Sequence, residues 1–220
     1  MVALVIGATG MVGSQLVQQL LADDRFEKIK VFSRRAFEIT HPKLEEHLIN
    51  FDFPEQWKGM VRGDVLFSAL GTTLSKAGSK GEQFKIDYKY QYQFAKVASE
   101  NEVPQYVLVS AAYASPGSKI FYSRMKGILE KDVKKLSFQH ITILKPGMLS
   151  GNRKEERAGE KIGIAVFNVL HHIPGLKFLK PVSAAIVARA MIKATEYHPV
   201  HINEYSLGEL FTLAEFNNKI

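Results

Sequence analysis

Short apolar runs alternate with amphipathic stretches along most of the chain. Ala3–Ile6, Ile29–Phe32, Val65–Leu70, Tyr106–Val109 and Ile141–Leu144 are brief and rich in branched side chains, the pattern of strands buried on both faces. Between them apolar positions recur at helical spacing: Val12, Leu16, Val17 and Leu20, then Phe84, Tyr88, Tyr92 and Ala95, then Phe121, Met125, Ile128, Leu129, Val133 and Leu136. A weaker run, Leu48–Phe51, adds one more strand. Strand and helix alternating in this way predict an α/β fold, a single doubly wound parallel sheet with helices on both faces and right-handed crossovers. After Leu144 the pattern changes to a polar loop, 150–161, and to helical stretches near 162–172 and 184–197. In such a fold this tail, 148–220, is expected to form a small cover over the carboxyl ends of the strands, where ligands bind. No repeat or Pro/Gly-rich linker divides the chain, so residues 1–220 are read as one domain.

Composition narrows the chemistry. Of the 220 residues 46% are hydrophobic and 23% charged, as in an ordinary soluble domain. No apolar run reaches the roughly 18 residues of a membrane helix, and no basic, signal-like segment stands ahead of Val2. A cytoplasmic protein without membrane contacts is therefore expected. The chain has no cysteine, which excludes a disulfide framework, a thiolate nucleophile and a sulfur-ligated metal. The net charge of +7 would suit nucleic acid or an anionic ligand. The basic residues are scattered, however, and form no run interleaved with aromatics, so nucleic-acid binding is not expected. His171 and His172 are helical neighbours, about 100° apart, and cannot face one metal; no metal site is expected. Trp57, the single tryptophan, suits anchoring a short helix to the core.

The stretch "GATGMVG" sits where the first strand hands over to the first helix and holds Gly7, Thr9, Gly10, Met11, Val12 and Gly13. A missing β-carbon there permits a tight turn, close approach of a pyrophosphate and close packing of helix on strand. The helix N-terminus adds unpaired N–H groups and a positive dipole end, so backbone amides near Met11 and Val12 face phosphate whatever their side chains. In this context the glycines predict a dinucleotide site. An acidic residue at the end of the second strand would select NAD; this chain has "VFSRR" instead. Arg34 and Arg35 can pair with a 2′-phosphate through charge-assisted, fork-shaped hydrogen bonds, which favours NADP (NADPH) over NAD.

The G-x-x-G-x-x-G spacing and the motifs that follow resemble the atypical and extended branches of the short-chain dehydrogenase/reductase superfamily, which implies a Rossmann-like NAD(P)-binding fold. That superfamily's catalytic signature, Tyr-x-x-x-Lys, occurs twice, as Tyr92 with Lys96 and as Tyr122 with Lys126. Tyr92 lies on the stripe of Phe84, Tyr88 and Ala95 and fits packing. Tyr122 follows the fifth strand, whose carboxyl end carries Ser110, so these two can face one pocket. Four residues apart on a helix, Tyr122 and Lys126 point the same way, and an ammonium beside a phenol favours its ionised form. Tyr122 could then exchange a proton with a substrate oxygen that Ser110 holds. With the register one residue off, Ala111 would take the place of Ser110.

"LGTTLSKAGS", "KIDYKY", "FYSRMKG" and "LKPGMLSGNRKEERAGE" resemble one branch in particular, the Tat-interacting-protein-like oxidoreductases, over the chain from Val2 to about Ile192. The resemblance implies adenine contacts at Asp52 and Phe53 and a cofactor edge at Leu70, Gly71 and Thr72. It also implies a Pro-Gly turn, Pro146 and Gly147 followed by Met148, against the nicotinamide, and a Lys126 that binds the nicotinamide ribose. The implied reaction is reduction of a carbonyl on a small-molecule substrate, with Ser110, Tyr122 and Lys126 as catalytic residues. Animal members are described as regulatory proteins, so an NADP-sensing interaction protein with a protein partner is the alternative. A monomer or homodimer fits either. Where many superfamily members place an asparagine in a proton relay, this chain offers Asp87. The charged loop after the Pro-Gly turn, with Arg153, Glu155, Glu156, Arg157 and Glu160, would border the substrate mouth.

Overall fold

In the computed structural model, residues 1–37, 39–150 and 181–216 are described. Seven strands form one sheet: β1 (Val2–Ile6), β2 (Lys28–Ser33), β3 (Leu44–Leu48), β4 (Val65–Ser68), β5 (Gln105–Val109), β6 (His140–Lys145) and β9 (Ile202–Ser206). Their spatial order is β3-β2-β1-β4-β5-β6-β9, and every pairing is parallel. The order reverses between β1 and β4. That crevice, outside their carboxyl ends, is where a doubly wound fold receives ligands.

Alternate residues of β1 feed the two faces of the sheet. Ala3 and Val5 pack with helix α1 (Met11–Leu21), and Leu4 and Ile6 join a second core with Phe94, Leu129 and Val133. On that second face lie α3 (Lys80–Phe84), α4 (Gln91–Glu100) and α5 (Phe121–Val133), after the short α2 (Leu74–Ala77). A π-helical turn, Lys85–Tyr90, joins α3 to α4. Trp57 is buried and stacks on Phe94 with ring centroids 5.0 Å apart.

The third strand stands at Leu44–Leu48 rather than at Leu48–Phe51. It is the edge strand, half-buried and polar in sequence, so the apolar run beyond it marks the turn that carries Phe51 inward. The tail does more than cover the strand ends. Its helix α6 (Ala184–Lys193) packs in the α1 core, and β9 extends the sheet beyond β6, followed by α7 (Glu209–Glu215). Strands β7 (Leu149–Ser150) and β8 (Val182–Ser183) form a separate two-stranded pair. His171, His172, the 162–172 stretch and the loop residues from Arg153 to Glu160 lie outside the described residues.

Candidate functional site

Two adjoining cavities open along the carboxyl edge of the sheet. The smaller, about 400 Å³, is lined by Gly7, Ala8, Thr9, Phe32, Ser33, Arg34, Arg35, Phe51, Ile86 and their neighbours. The larger, about 1050 Å³, runs from Thr9–Val12 past Leu70, Gly71 and Asp87 to Ser110, Tyr122, Lys126 and the segment Pro146–Leu149. Thr9, Leu70, Thr72 and Lys76 line both, so the two make one trough across the topological switch point.

The glycine turn shapes its floor. Gly7 has φ +85°, and a β-carbon there would sit 2.4 Å from the Ala69 carbonyl carbon. A β-carbon on Gly13 would meet the Gly7 carbonyl oxygen at 2.1 Å. The first glycine brings β1 against β4, and the third seats α1 on the turn. Gly10 caps α1, with its N–H donated to the Gly7 carbonyl at 2.9 Å.

At the small end Phe32, Phe51, Leu70 and Ile86 supply the apolar part of the lining, beside the polar Ser33, Thr72, Lys76 and Glu82. Phe51 is held by a stack on Tyr90, with centroids 5.2 Å apart. Arg34 and Arg35 are exposed at the rim. The Ser33 hydroxyl donates to the Arg35 carbonyl and fixes the turn they stand on. Apolar side chains beside two guanidinium groups suit an aromatic base with an anionic group close by.

At the large end α5 places Tyr122, Lys126 and Glu130 four residues apart on one stripe. Tyr122 is 40% exposed, whereas Lys126 and Glu130 are buried. Lys126 lies against the end of β5, its Nζ 3.4 Å from the Val109 carbonyl oxygen. The Ser110 hydroxyl donates to Glu130 Oε1, and Glu130 Oε2 pairs with Lys145 Nζ at 3.0 Å. Lys145 also pairs with Glu204, which in turn holds Lys134. Burial works against the Lys145 ammonium, yet Glu204 and Glu130 keep its pKa above the usual lysine value.

Asp87 enters the larger cavity from the π-helical turn. Its Oδ1 accepts the Thr72 N–H at 2.6 Å, and its buried Oδ2 has no hydrogen-bond partner among the described residues. Burial pushes this carboxyl above its usual range, against the pull of Lys126 and the Thr72 N–H. π-turns of this kind often mark functional positions, because the extra residue re-aims a side chain.

This trough fits a dinucleotide, and residues 7–196 match the model of a family described as NAD(P)H-binding. The chain belongs to that family. Among its relatives, "Protein FMP52, mitochondrial" of Candida albicans is 35% identical over 194 residues, covering 86% of this chain and 85% of its own. "Protein fmp52-1, mitochondrial" of Aspergillus terreus is 36% identical over 199 residues, 86% of this chain and 84% of its own. A short-chain dehydrogenase/reductase superfamily protein from Agrobacterium tumefaciens, solved with bound NAD, superposes with a TM-score of 0.71 at 14% identity, over 94% of this chain and 77% of that one. What this NAD(P)H-binding chain shares with it is the Rossmann-like fold, in agreement with the resemblance to atypical short-chain dehydrogenase/reductases. The relatives' names correct one expectation. A cytoplasmic location was expected from the absence of a membrane-helix run and of a signal-like segment, and these relatives are named mitochondrial proteins.

The residues predicted from sequence divide by place. Gly7, Thr9, Gly10, Met11, Val12, Arg34, Arg35, Leu70, Gly71, Thr72, Ser110, Tyr122, Lys126, Pro146, Gly147 and Met148 all line the trough, and Gly13 supports it from behind. Asp52 and Phe53 line neither cavity. Asp52 bonds Lys85 Nζ at 2.8 Å and the Tyr90 hydroxyl at 3.0 Å, and Phe53 is exposed. The neighbouring Phe51 takes the wall instead. Ser110, not Ala111, carries the polar group, although both line the cavity. Tyr92 stacks on Tyr88 and Lys96 pairs with Glu100, away from the trough. Sequence reasoning missed Lys76, Glu130 and Tyr113. Tyr113 lines the larger cavity at φ +62°, a strained conformation for a bulky residue, and is 71% exposed. Only Glu130 left a signal, its spacing from Tyr122 and Lys126.

Proposed function

We propose that this chain is an NADP(H)-dependent reductase of the short-chain type, acting on a carbonyl of a small organic molecule. The observation that carries this reading is the convergence of Ser110, Tyr122 and Lys126 on the wall of the larger cavity, which Pro146 and Gly147 also line. When bound, the nicotinamide would supply a hydride to the carbonyl carbon. Tyr122 would give its proton to the substrate oxygen, leaving an alcohol, and would recover a proton from solvent, to which it is 40% exposed. Lys126, one turn along the same stripe, would bring its ammonium to the same wall of the cavity. Arg34 and Arg35 on the rim of the small cavity support NADP over NAD, since a guanidinium fork makes charge-assisted, bidentate bonds to a 2′-phosphate and only weaker bonds to neutral ribose hydroxyls.

The test is consumption of NADPH against a panel of aldehydes and ketones by the wild type and by Tyr122→Phe. Loss of the acid should lower turnover by about 100-fold or more while NADPH binding stays unchanged. Undiminished turnover in the variant would overturn the mechanism. A second reading, a dinucleotide-sensing interaction protein, is favoured by the engagement of the Ser110 hydroxyl with Glu130. NADPH binding without turnover of any carbonyl, together with a copurifying protein partner, would support it.

A further inference from the structure

We propose that Lys76 closes the trough over the pyrophosphate of a bound nicotinamide dinucleotide, a role that rests on the NAD(P)H reading of the site. Four residues belong to both cavities, and Lys76 is the charged one among Thr9, Leu70, Thr72 and Lys76. The small cavity combines Phe32, Phe51 and Ile86 with two arginines, which suits an adenosine, although Glu82 also lines it, and the large one holds Tyr122 and Lys126. A dinucleotide lying along the trough has its two nucleosides in the two cavities and its diphosphate at the junction. One wall of that junction is the glycine turn with the amino end of α1, an eleven-residue helix whose dipole favours anions. Lys76 supplies a full positive charge on the other.

The backbone that carries Lys76 is fixed from below. Two buried side chains grip Thr72: Asp87 Oδ1 accepts its N–H at 2.6 Å, and Gln83 Nε2 donates to its carbonyl at 3.3 Å. Thr73 then caps α2, its hydroxyl oxygen accepting the Lys76 N–H at 3.2 Å, and Gly78 ends the helix at φ +80°. The four residues of α2 are all unburied, so core packing does not account for where the helix stands.

The experiment is calorimetric titration of wild type, Lys76→Met, Lys76→Arg and Arg34→Ala with NADPH, NADH, ADP-ribose and adenosine 2′-monophosphate. Lys76→Met should weaken NADPH, NADH and ADP-ribose alike, by about tenfold, and leave adenosine 2′-monophosphate unchanged, because only the first three carry a diphosphate. Lys76→Arg should restore most of the affinity. Arg34→Ala should show the opposite pattern, a loss on NADPH and adenosine 2′-monophosphate. A Lys76→Met loss confined to the ligands with a 2′-phosphate, or no loss on any, would overturn the proposal. A wild type that binds none of the four would overturn the dinucleotide reading itself, and the proposal with it.

Discussion

The Ser110 hydroxyl donates its hydrogen bond to Glu130, eight residues along α5 from Tyr122 and on the same stripe. Both groups are buried, and Ser110 donates to one carboxylate oxygen while Lys145 pairs with the other. A buried carboxylate oxygen that loses its donor costs about 1–3 kcal/mol or more. Ser110→Ala is therefore expected to destabilise the fold by that amount in urea unfolding, before any effect on chemistry. An unchanged midpoint would mean that the pair contributes nothing to stability.

The glycine turn makes a sharper steric prediction. Gly13→Ala places a methyl 2.1 Å from the Gly7 carbonyl oxygen, and the atoms it meets, in Gly7 and Ala8, are backbone that cannot swing aside as a side chain would. A loss of about 3 kcal/mol or more is expected in thermal or chemical unfolding. Gly59→Ala is the control, since a β-carbon there meets nothing within 4 Å, and it should change stability by no more than about 0.5 kcal/mol.

Cofactor choice is tested at the small cavity. If the two arginines on the cavity lining hold a 2′-phosphate, as proposed, Arg34→Ala with Arg35→Ala should cost NADPH affinity at least about tenfold and leave NADH affinity close to its starting value. Equal losses for the two nucleotides would show that neither arginine reads that phosphate.

At the far end of the sheet His140 and His198 stack with centroids 4.1 Å apart. Burial lowers the His198 pKa, and the neighbouring His140 lowers it further. The unfolded chain takes up this proton near pH 6.5, above the folded value, so the unfolded state binds more protons between the two. Stability is thus full above about pH 6.5 and falls as pH drops toward the folded value. In His198→Gln the decline between about pH 7 and 5 should be shallower than in the wild type, as measured by denaturant midpoints across that range. Identical slopes would remove the pair from the pH response.

Much of this arrangement was legible before the structure. Five strands announced themselves as branched apolar runs because they are buried on both faces, and the glycine turn was legible because its sterics admit little else. The edges were not. β3 and β9 lie at opposite margins of the sheet, half-covered, and their polar residues hide the strand period. The Asp87 position depends on a π-helical turn, which a 3.6-residue period does not report. Phe51 and Asp52 are adjacent, and a turn that faces one of them inward turns the other out. Glu130 looks like a solvent-facing helical position until β5 and β6 bring Ser110 and Lys145 to it.

The proposed function requires the two cavities, which share Thr9, Leu70, Thr72 and Lys76, to take up a single nicotinamide dinucleotide. Calorimetric titration of the purified protein with NADPH is the test. Saturable uptake of one NADPH per chain, competed by adenosine 2′-monophosphate, is the predicted result; no heat of binding with either NADPH or NADH would contradict it.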